Sequence, residues 1–276
     1  MLKREDIRIR DPFILTDTEN GCYYMYGTTD LCKGSLRTEG RWRVYKTKDL
    51  EHFEEPKVIF EAADDYDADR DFWAPEVHRY GGRYYLFGSV KADGICRATR
   101  IFACDTPDGT FRPVSDVPIT PPDWECLDGT LWVEDGVPYM VFCHEWLQVK
   151  DGEIWAVPLK QDLTAPDGEP FFLFRASENP DVTALGSRPD CYVTDGPFLY
   201  TEDGVLKMIW SSFYKGRYLV LEAWADSLRG PWRHSGSRFA FDGGHAMLFT
   251  DLSGKRKISL HSPNKADLER PLFLDY

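Results

Sequence analysis

Short apolar runs, rich in aromatic and β-branched residues, follow one another along the whole chain and are separated by Gly, Asp, Asn and Pro. The run from Cys22 to Tyr26, bounded by Gly on both sides, is one example. Such runs are typical of β-strands joined by tight turns. Signals for helices are scarce in the chain. The pattern therefore predicts an all-β protein.

The runs also follow a larger plan, in which an apolar run, a turn and a second aromatic run recur together. The plan occurs five times, at spacings of 63, 54, 67 and 50 residues. Its copies begin near Asp11, Ala74, Asp128, Asp195 and His245. Repeats of this length indicate propeller blades, and three or four predicted strands per copy fit a four-stranded blade. The sequence predicts one domain over residues 1–276, a five-bladed β-propeller.

Composition narrows the classes of partner. The aromatic content of 14%, with 9 Trp, 14 Tyr and 17 Phe, suits strands and also suits clefts that bind sugars. A net charge of −13 disfavours nucleic acid and anionic membranes as partners, although solubility alone is a sufficient reason for such a charge. No apolar run is long enough to cross a bilayer. We therefore expect neither a nucleic acid nor a membrane partner.

The cysteines and the first residues bear on the cellular compartment. The chain has 7 Cys, an odd number, at irregular spacing and without a CxxC pair. This favours reduced thiols over a disulfide framework or a zinc site. The opening residues, from Met1 to Asp6, lack the apolar core of a secretory signal. Together these features predict a cytoplasmic protein.

The propeller interpretation decides which acidic residues can meet. The first strand of each blade lines the central channel, so residues at the heads of these strands should converge at one face. Asp11, Asp128, Asp195 and His245 should therefore share a cavity. A single Asp at a strand head is ordinarily a solvated turn residue. Three at equivalent positions indicate a use, because holding like charges together costs energy.

Three carboxylates around a pocket suit glycoside hydrolysis. One must be ionised to deprotonate water, another must be protonated to donate to the leaving oxygen, and a third tunes the donor by like-charge repulsion. Trp73, Trp146 and Trp210 are candidates for stacking on sugar faces. Core packing explains each of these tryptophans equally well.

The same residues carry a resemblance to a known family. The motifs Arg10-Asp11-Pro12, Trp73-Ala74-Pro75-Glu76-Val77, Leu127-Asp128-Gly129 and Gly244-His245 resemble glycoside hydrolase family 43. The resemblance covers nearly the whole chain and implies a five-bladed β-propeller that hydrolyses arabinose, xylose or galactose glycosides with inversion. It implies that Asp11 is the general base and Asp128 the residue that raises the pKa of the proton donor.

The sequence departs from the family at the proton donor. The family carries a Glu before Gly-Pro in the fourth blade, and this chain has Asp195 there. Because Asp is one methylene shorter, its carboxyl would lie about 1 to 1.5 Å further back. Glu145, after the second strand of the third blade, is a second candidate donor. A surface-loop acid is the competing interpretation of Glu145.

Further residues have weaker assignments. His245 resembles the family's channel histidine, near which a calcium or sodium ion is held through waters, and a buried core histidine is the alternative. Oxygens and water would hold such an ion, since His is a poor ligand for hard cations. His144, His261 and Arg188 are candidate sugar contacts from position alone. No cofactor is expected for the chemistry itself.

Two functional hypotheses follow from these assignments. The first is an inverting glycosidase that removes terminal pentose or hexose units from oligosaccharides, of the arabinofuranosidase, xylosidase or galactosidase type. The second is a catalytically impaired carbohydrate-binding propeller, in which Asp195 marks a lost donor. A transferase or phosphorylase is a weaker third, since the sequence shows no basic phosphate cradle. The sugar, its anomer, exo or endo action and the oligomeric state are left open.

Overall fold

The structure is a computed structural model that describes residues 1–239 and 242–276. Five antiparallel sheets form the blades of a β-propeller, so the predicted fold is confirmed. Within the described residues the single α-helix is α1, Trp146–Val149, and 3-10 turns lie at Arg4–Asp6 and Ala176–Glu178. No helix in this part of the chain is both long and apolar enough to cross a bilayer.

The strands are numbered in chain order, and each sheet pairs neighbours in antiparallel fashion. Blade one holds β1 Leu2–Lys3, β2 Arg10–Asp17, β3 Cys22–Thr28, β4 Arg41–Thr47, β5 His52–Phe53 and β6 Lys57–Glu61. Blade two holds β7 Arg70–Tyr80, β8 Arg83–Ala92, β9 Ile95–Cys104 and β10 Arg112–Pro113. Blade three holds β11 Cys126–Glu134, β12 Val137–His144, β13 Glu153–Pro158 and β14 Phe171–Arg175. Blade four holds β15 Asp195–Glu202, β16 Val205–Tyr214, β17 Arg217–Ala225 and β18 Arg233–Phe239. Blade five holds β19 Gly244–Thr250, β20 Arg256–Ser262 and β21 Arg270–Asp275.

Every first strand carries a β-bulge at the same position. In blade one Arg10 pairs with Thr28 and the next pair is Phe13 with Tyr26, so two residues of β2 face one residue of β3. The other four blades repeat this register shift. The first bulged residue has a positive φ, between 43° and 57°, in each blade: Asp11, Ala74, Asp128, Gly196 and His245. Bulges of this kind re-aim a side chain out of the ordinary alternation of a strand.

The sequence repeat treats Asp195 as equivalent to Asp11 and Asp128, and the position of the bulge in the fourth blade shows that this is wrong. Gly196, and not Asp195, occupies the position that corresponds to Asp11 and Asp128. Asp195 lies one residue earlier, at the position of Arg10 in blade one. The sequence could not show this offset, because the bulge depends on backbone register.

The bulge amides tie each blade to the one before it. In four blades the amide donates to a side chain at the end of the preceding blade's second strand: Ala74 to Thr28 Oγ1 (2.8 Å), Asp128 to Ser89 Oγ (2.9 Å), His245 to Ser211 Oγ (2.8 Å) and Asp11 to His261 Nδ1 (3.2 Å). The corresponding residue of blade three is Cys143. There the amide of Gly196 donates instead to Asp128 Oδ2, at 2.9 Å.

Apolar side chains fill the spaces between blades. Trp42 is fully buried and makes ring contacts with Phe60, Phe72 and Phe102, at centroid distances of 5.0 to 5.5 Å. Burying an aromatic side chain of this size contributes about 2 to 3 kcal/mol. This packing holds neighbouring sheets rigidly, and the heads of their first strands keep fixed positions around the channel.

Candidate active site

A cavity of about 520 Å³ lies over the heads of the first strands. Its charged and polar lining comes from strands of all five blades and from two residues outside the strands, Glu145 and Asn264: Arg10, Asp11, Thr28, Arg97, Asp128, Glu145, Asp195, Tyr218, His245 and Asn264. The volume falls in the range of cavities that hold small organic ligands. The three aspartates predicted to converge therefore do line one cavity.

Asp11 is held as a carboxylate. Thr28 Oγ1 donates to Asp11 Oδ2 at 2.7 Å, and His245 Nδ1 lies 3.3 Å from Asp11 Oδ1. Burial alone would raise the pKa of Asp11, but His245, His261 and Arg10 outweigh it and hold the pKa well below its ordinary value. Asp11 is therefore ionised and able to accept a proton.

Asp128 has the opposite tendency. It is 6% exposed, and burial raises its pKa to about 7, with the charges of Asp195 and Asp11 adding to the rise. His245 and the amide of Gly196 act against the rise. Because Asp128 Oδ2 accepts the Gly196 amide, a proton on this carboxyl group belongs on the other oxygen.

Asp195 is the second carboxyl group with a raised pKa. Burial raises its pKa to about 6, while His245, Tyr218 and Arg10 lower it. The Tyr218 hydroxyl donates to Asp195 Oδ2 at 3.0 Å. The charge of Asp11 adds to the rise in the pKa of Asp195. The cavity thus contains an ionised carboxylate and two groups that retain protons more readily.

Packing requires glycine at position 196. The equivalent residues of the other blades carry side chains at a similar φ, but a Cβ at Gly196 would lie 2.7 Å from Cγ of His245. The His245 ring therefore rests against the backbone beside Asp195. From there its Nδ1 reaches Asp11, and Asp128 Oδ2 at 3.7 Å. Burial lowers the pKa of His245, but these carboxylates raise it above the ordinary value.

Glu145 also lines the cavity, with different partners. Arg97 Nε lies 3.3 Å from Glu145 Oε2, and both side chains are about 5% exposed. Burial raises the pKa of Glu145, and Arg97 opposes that rise. Glu145 is therefore not an acid of a surface loop, and it stays a candidate donor in the same cavity.

Two predicted tryptophans line the cavity and one does not. Trp73 and Trp146 contribute to its wall. Arg188 lies outside the cavity lining, with its guanidinium 5.1 Å from the Trp146 ring centre. Trp210 is fully buried, and its ring packs 5.4 Å from Phe174 between blades three and four. The predicted sugar contact of Trp210 is corrected to core packing, because its position opposite the bulge points into the core.

The two other predicted contact histidines are also buried. His144 stacks on Trp124 at 4.3 Å, and its Nε2 lies 2.7 Å from Gln148 Oε1, so it supports α1 and does not line the cavity. His261 accepts the Asp11 amide on Nδ1, which places its proton on Nε2, 3.3 Å from Asn264 Oδ1. His261 thus positions Asp11 from behind.

Sequence reasoning missed several lining residues. Arg10 precedes Asp11, and its Nη1 donates to Asn264 Oδ1 at 2.8 Å and to Glu269 Oε1 at 3.3 Å. Tyr218 and Arg97 come from third strands of their blades, whereas the repeat pattern pointed to the heads of the first strands. Only Arg10 carried a local signal, through its place beside Asp11.

The sequence predicts a calcium or sodium ion near His245. The positions of the surrounding side chains show whether they could coordinate such an ion directly. Among residues 1–239 and 242–276, no three or more His, Cys, Asp or Glu side chains are grouped so as to hold a metal ion. Nδ1 of His245 is directed at Asp11 and Asp128. Direct coordination by protein side chains does not fit, and a calcium or sodium ion held through waters stays a prediction.

Comparison with known proteins agrees with the geometry of the cavity. The family model for glycosyl hydrolases family 43 matches residues 6–275. The chain belongs to glycoside hydrolase family 43. It is therefore a glycosidase, and its substrate is a carbohydrate. A search of curated proteins finds no match.

Solved structures of family-43 enzymes resemble this one along its whole length. An endo-arabinase from Bacteroides thetaiotaomicron is 40% identical, with a TM-score of 0.92, over 100% of this chain and 96% of that one. An endo-1,4-β-xylanase from the same organism is 25% identical, with a TM-score of 0.77, over 99% and 91%. An α-L-arabinofuranosidase from Lactobacillus brevis, 16% identical with a TM-score of 0.75 over 99% and 94%, shares the fold.

Proposed function

We propose that this family-43 glycosidase hydrolyses arabinose-containing oligosaccharides with inversion of the anomeric centre and releases terminal arabinose units. The observation that carries the proposal is that Asp11, Asp128 and Asp195 line one cavity. The pKa of Asp11 is lowered, whereas the pKa values of Asp128 and Asp195 are raised. The similarity to an endo-arabinase at 40% identity supports arabinose as the sugar. Release of terminal units is the expectation from the sequence.

In the proposed mechanism Asp11 is the general base. A water molecule between Asp11 and the sugar loses a proton to the carboxylate as it attacks the anomeric carbon. The lowered pKa of Asp11 keeps the group ionised for this step. Thr28 and His245 orient the carboxylate, and His261 holds its backbone amide. Such positioned proton transfer typically contributes 10²- to 10⁴-fold in rate.

Asp195 is proposed as the proton donor. Burial and the charge of Asp11 raise its pKa, which leaves a proton available near neutral pH. Asp128, whose charge repels that of Asp195, is assigned the role of keeping this pKa high. Glu145 is a weaker candidate because the Arg97 guanidinium beside it favours the ionised form. The Asp195 proton passes to the glycosidic oxygen as the bond to the leaving group breaks, and the base and acid are regenerated by exchange with solvent.

Nitrophenyl glycosides provide the test of this function. We expect nitrophenol release from the α-L-arabinofuranoside in a panel with the xyloside and galactoside, and arabinose as the first product from arabino-oligosaccharides. Asp11→Asn should abolish turnover by at least about 10³-fold and retain arabinose binding in calorimetry. Absence of turnover across the panel, or an unchanged rate in Asp11→Asn, would contradict the proposal.

The carbohydrate-binding alternative is favoured by one observation, the Asp at the donor position of blade four. The panel separates the two functions directly. A wild-type protein that binds arabinose in calorimetry and turns over no member of the panel would be the impaired propeller.

A further inference from the structure

Within the same cavity there is a second polar cluster, which makes no hydrogen bond or ion pair with the three aspartates in the described part of the chain. It consists of Arg97 and Glu145, with Asp71 behind Arg97 and the Trp73 ring beside it. Arg97 Nη1 donates to Asp71 Oδ2 at 3.1 Å, and Arg97 Nε donates to Glu145 Oε2 at 3.3 Å. Arg97 and Glu145 line the cavity and Asp71 does not. Arg97, Glu145 and Asp71 take no part in the proton transfers proposed for Asp11 and Asp195.

Aromatic stacking fixes the guanidinium in place. Cζ of Arg97 lies 3.9 Å from the centre of the Trp73 ring. The ring itself is held by a hydrogen bond from Nε1 to the Leu36 carbonyl, at 2.8 Å. A planar guanidinium held by a ring and two carboxylates has little freedom left to lose on binding. The cluster is therefore preorganised.

Two polar atoms of the cluster are free to bind a ligand. Within the part of the chain that the structure describes, neither Nη2 of Arg97 nor Oε1 of Glu145 has a hydrogen-bond partner. Neither belongs to the fully enclosed unpaired atoms of the described chain, so both reach the space of the cavity. Their residues are only 4% and 5% exposed. Such groups are costly to bury unless something binds them.

We propose that Arg97 and Glu145 form a second sugar subsite, which binds two neighbouring hydroxyl groups on the unit next to the one that is cleaved. The guanidinium donates to one hydroxyl oxygen, and the carboxylate accepts from the other. Two carboxylates offset the single charge of Arg97, so the subsite favours a neutral sugar over a uronic acid. This subsite rests on the proposed function, because it selects the substrate of the same cavity.

The subsite makes a prediction that separates short from long substrates. Nitrophenyl α-L-arabinofuranoside has a single sugar unit, whereas arabinotriose also fills the neighbouring position. In Glu145→Gln and Arg97→Lys, the ratio of kcat/KM for arabinotriose to kcat/KM for the aryl glycoside should fall about 10- to 100-fold, the effect of losing a hydrogen bond to a charged group. Asp67→Asn is the matched control, because Asp67 pairs with Arg100, a buried arginine of the same strand β9, and neither residue lines the cavity. Its ratio should change less than threefold.

Three outcomes would overturn the subsite. The first is an unchanged ratio in both variants. The second is a ratio that falls equally in the control variant Asp67→Asn. The third is a loss in Glu145→Gln that affects both substrates and grows with the basicity of the leaving group, as in Asp195→Asn, because that pattern would make Glu145 the proton donor.

A binding measurement keeps the subsite testable if the proposed function fails. Calorimetry on the wild type and Glu145→Gln compares arabinose with arabinotriose and requires no turnover. The subsite is supported if Glu145→Gln binds arabinotriose more weakly than the wild type does but binds arabinose equally well. It is overturned if the two proteins bind arabinotriose equally well. A lack of turnover in the wild type contradicts only the hydrolytic function.

Discussion

At the scale of single residues, neighbours set the different proton affinities of the cavity carboxyl groups. At Asp11 the positive groups His245, His261 and Arg10 outweigh burial. At Asp128 and Asp195 burial outweighs His245, and the charge of Asp11 adds to the rise in both pKa values. All three are aspartates, so the residue type alone does not distinguish the base from the acid. Local environment makes that distinction, in the manner of other glycosidase carboxylate pairs.

The pH profile of kcat/KM should report these affinities. A donor must be protonated, so activity should fall as pH rises through about 6 to 7, the values for Asp195 and Asp128, which titrate as a pair. The base has a lowered pKa, so no acid limb should appear above about pH 4. An activity that rises through this alkaline range would contradict the assignment of the donor.

Tyr218→Phe tests the sign of one contribution. The Tyr218 hydroxyl donates to Asp195 and favours its ionised form, which lowers the pKa. Removing the hydroxyl should raise that pKa and move the alkaline limb to higher pH, by about half a unit to one unit. A limb that stays in place, or moves to lower pH, would show that Asp195 does not control it.

The sequence predicted the positions of some single residues in the site and not of others. The convergence of Asp11, Asp128 and Asp195 followed from their place in the repeat. The burial of Trp210 in the core did not follow from the repeat. Which face of the sheet a strand residue points to depends on the register around a bulge, and the sequence does not show that register. The pairing of Glu145 with Arg97 joins residues from different blades, and no local pattern in the chain indicates it.

At the scale of elements, the repeated bulge explains how first strands present side chains to the cavity. An ordinary strand alternates its side chains between two faces, whereas the bulge turns Asp11, Asp128 and His245 toward the cavity. The sequence predicted the strands and their order, but it did not show the bulges or the offset between Asp195 and Gly196. These depend on hydrogen bonds to the preceding blade.

Gly196→Ala should disturb this element, and Gly204→Ala is its matched control. Both glycines have a positive φ, but only at Gly196 would the added Cβ meet a neighbour, His245, at 2.7 Å. The control should lose about 1 kcal/mol of unfolding free energy from backbone strain. Gly196→Ala should lose about 2 to 4 kcal/mol, because overpacking is added, together with most activity. Urea unfolding measures both, and equal losses would contradict the packing argument.

At the scale of the whole molecule, the ring must close between blades one and five. Glu269, which is fully buried just before the last strand, pairs with Arg10 at 3.3 Å and with Arg8 at 3.5 Å. The N-terminal segment adds a backbone bond from Ile9 to the Glu269 carbonyl, at 3.4 Å. This closure also positions Arg10 in the cavity. The sequence predicted the number of blades, but not these contacts between its two ends.

Glu269→Gln should weaken the closure. The variant removes the one fully buried carboxylate of this group, although Arg8 keeps Asp267 and Arg10 keeps Asn264. We expect a loss of about 3 kcal/mol in unfolding free energy. The control is Asp275→Asn, which removes an exposed partner of Lys257 in the same last strand and should leave the urea midpoint unchanged. Equal stability of the two variants would show that the ring does not depend on Glu269.

The stereochemistry of hydrolysis tests the central claim most directly. If Asp11 activates water on one face of the sugar while Asp195 protonates the leaving oxygen, the first arabinose released has the anomeric configuration opposite to that of the substrate. Proton NMR of the first minutes of arabinofuranoside hydrolysis reads this configuration before mutarotation. We predict that the β-anomer appears first from the α-glycoside. An α-anomer as first product would contradict the assignment of these carboxylates.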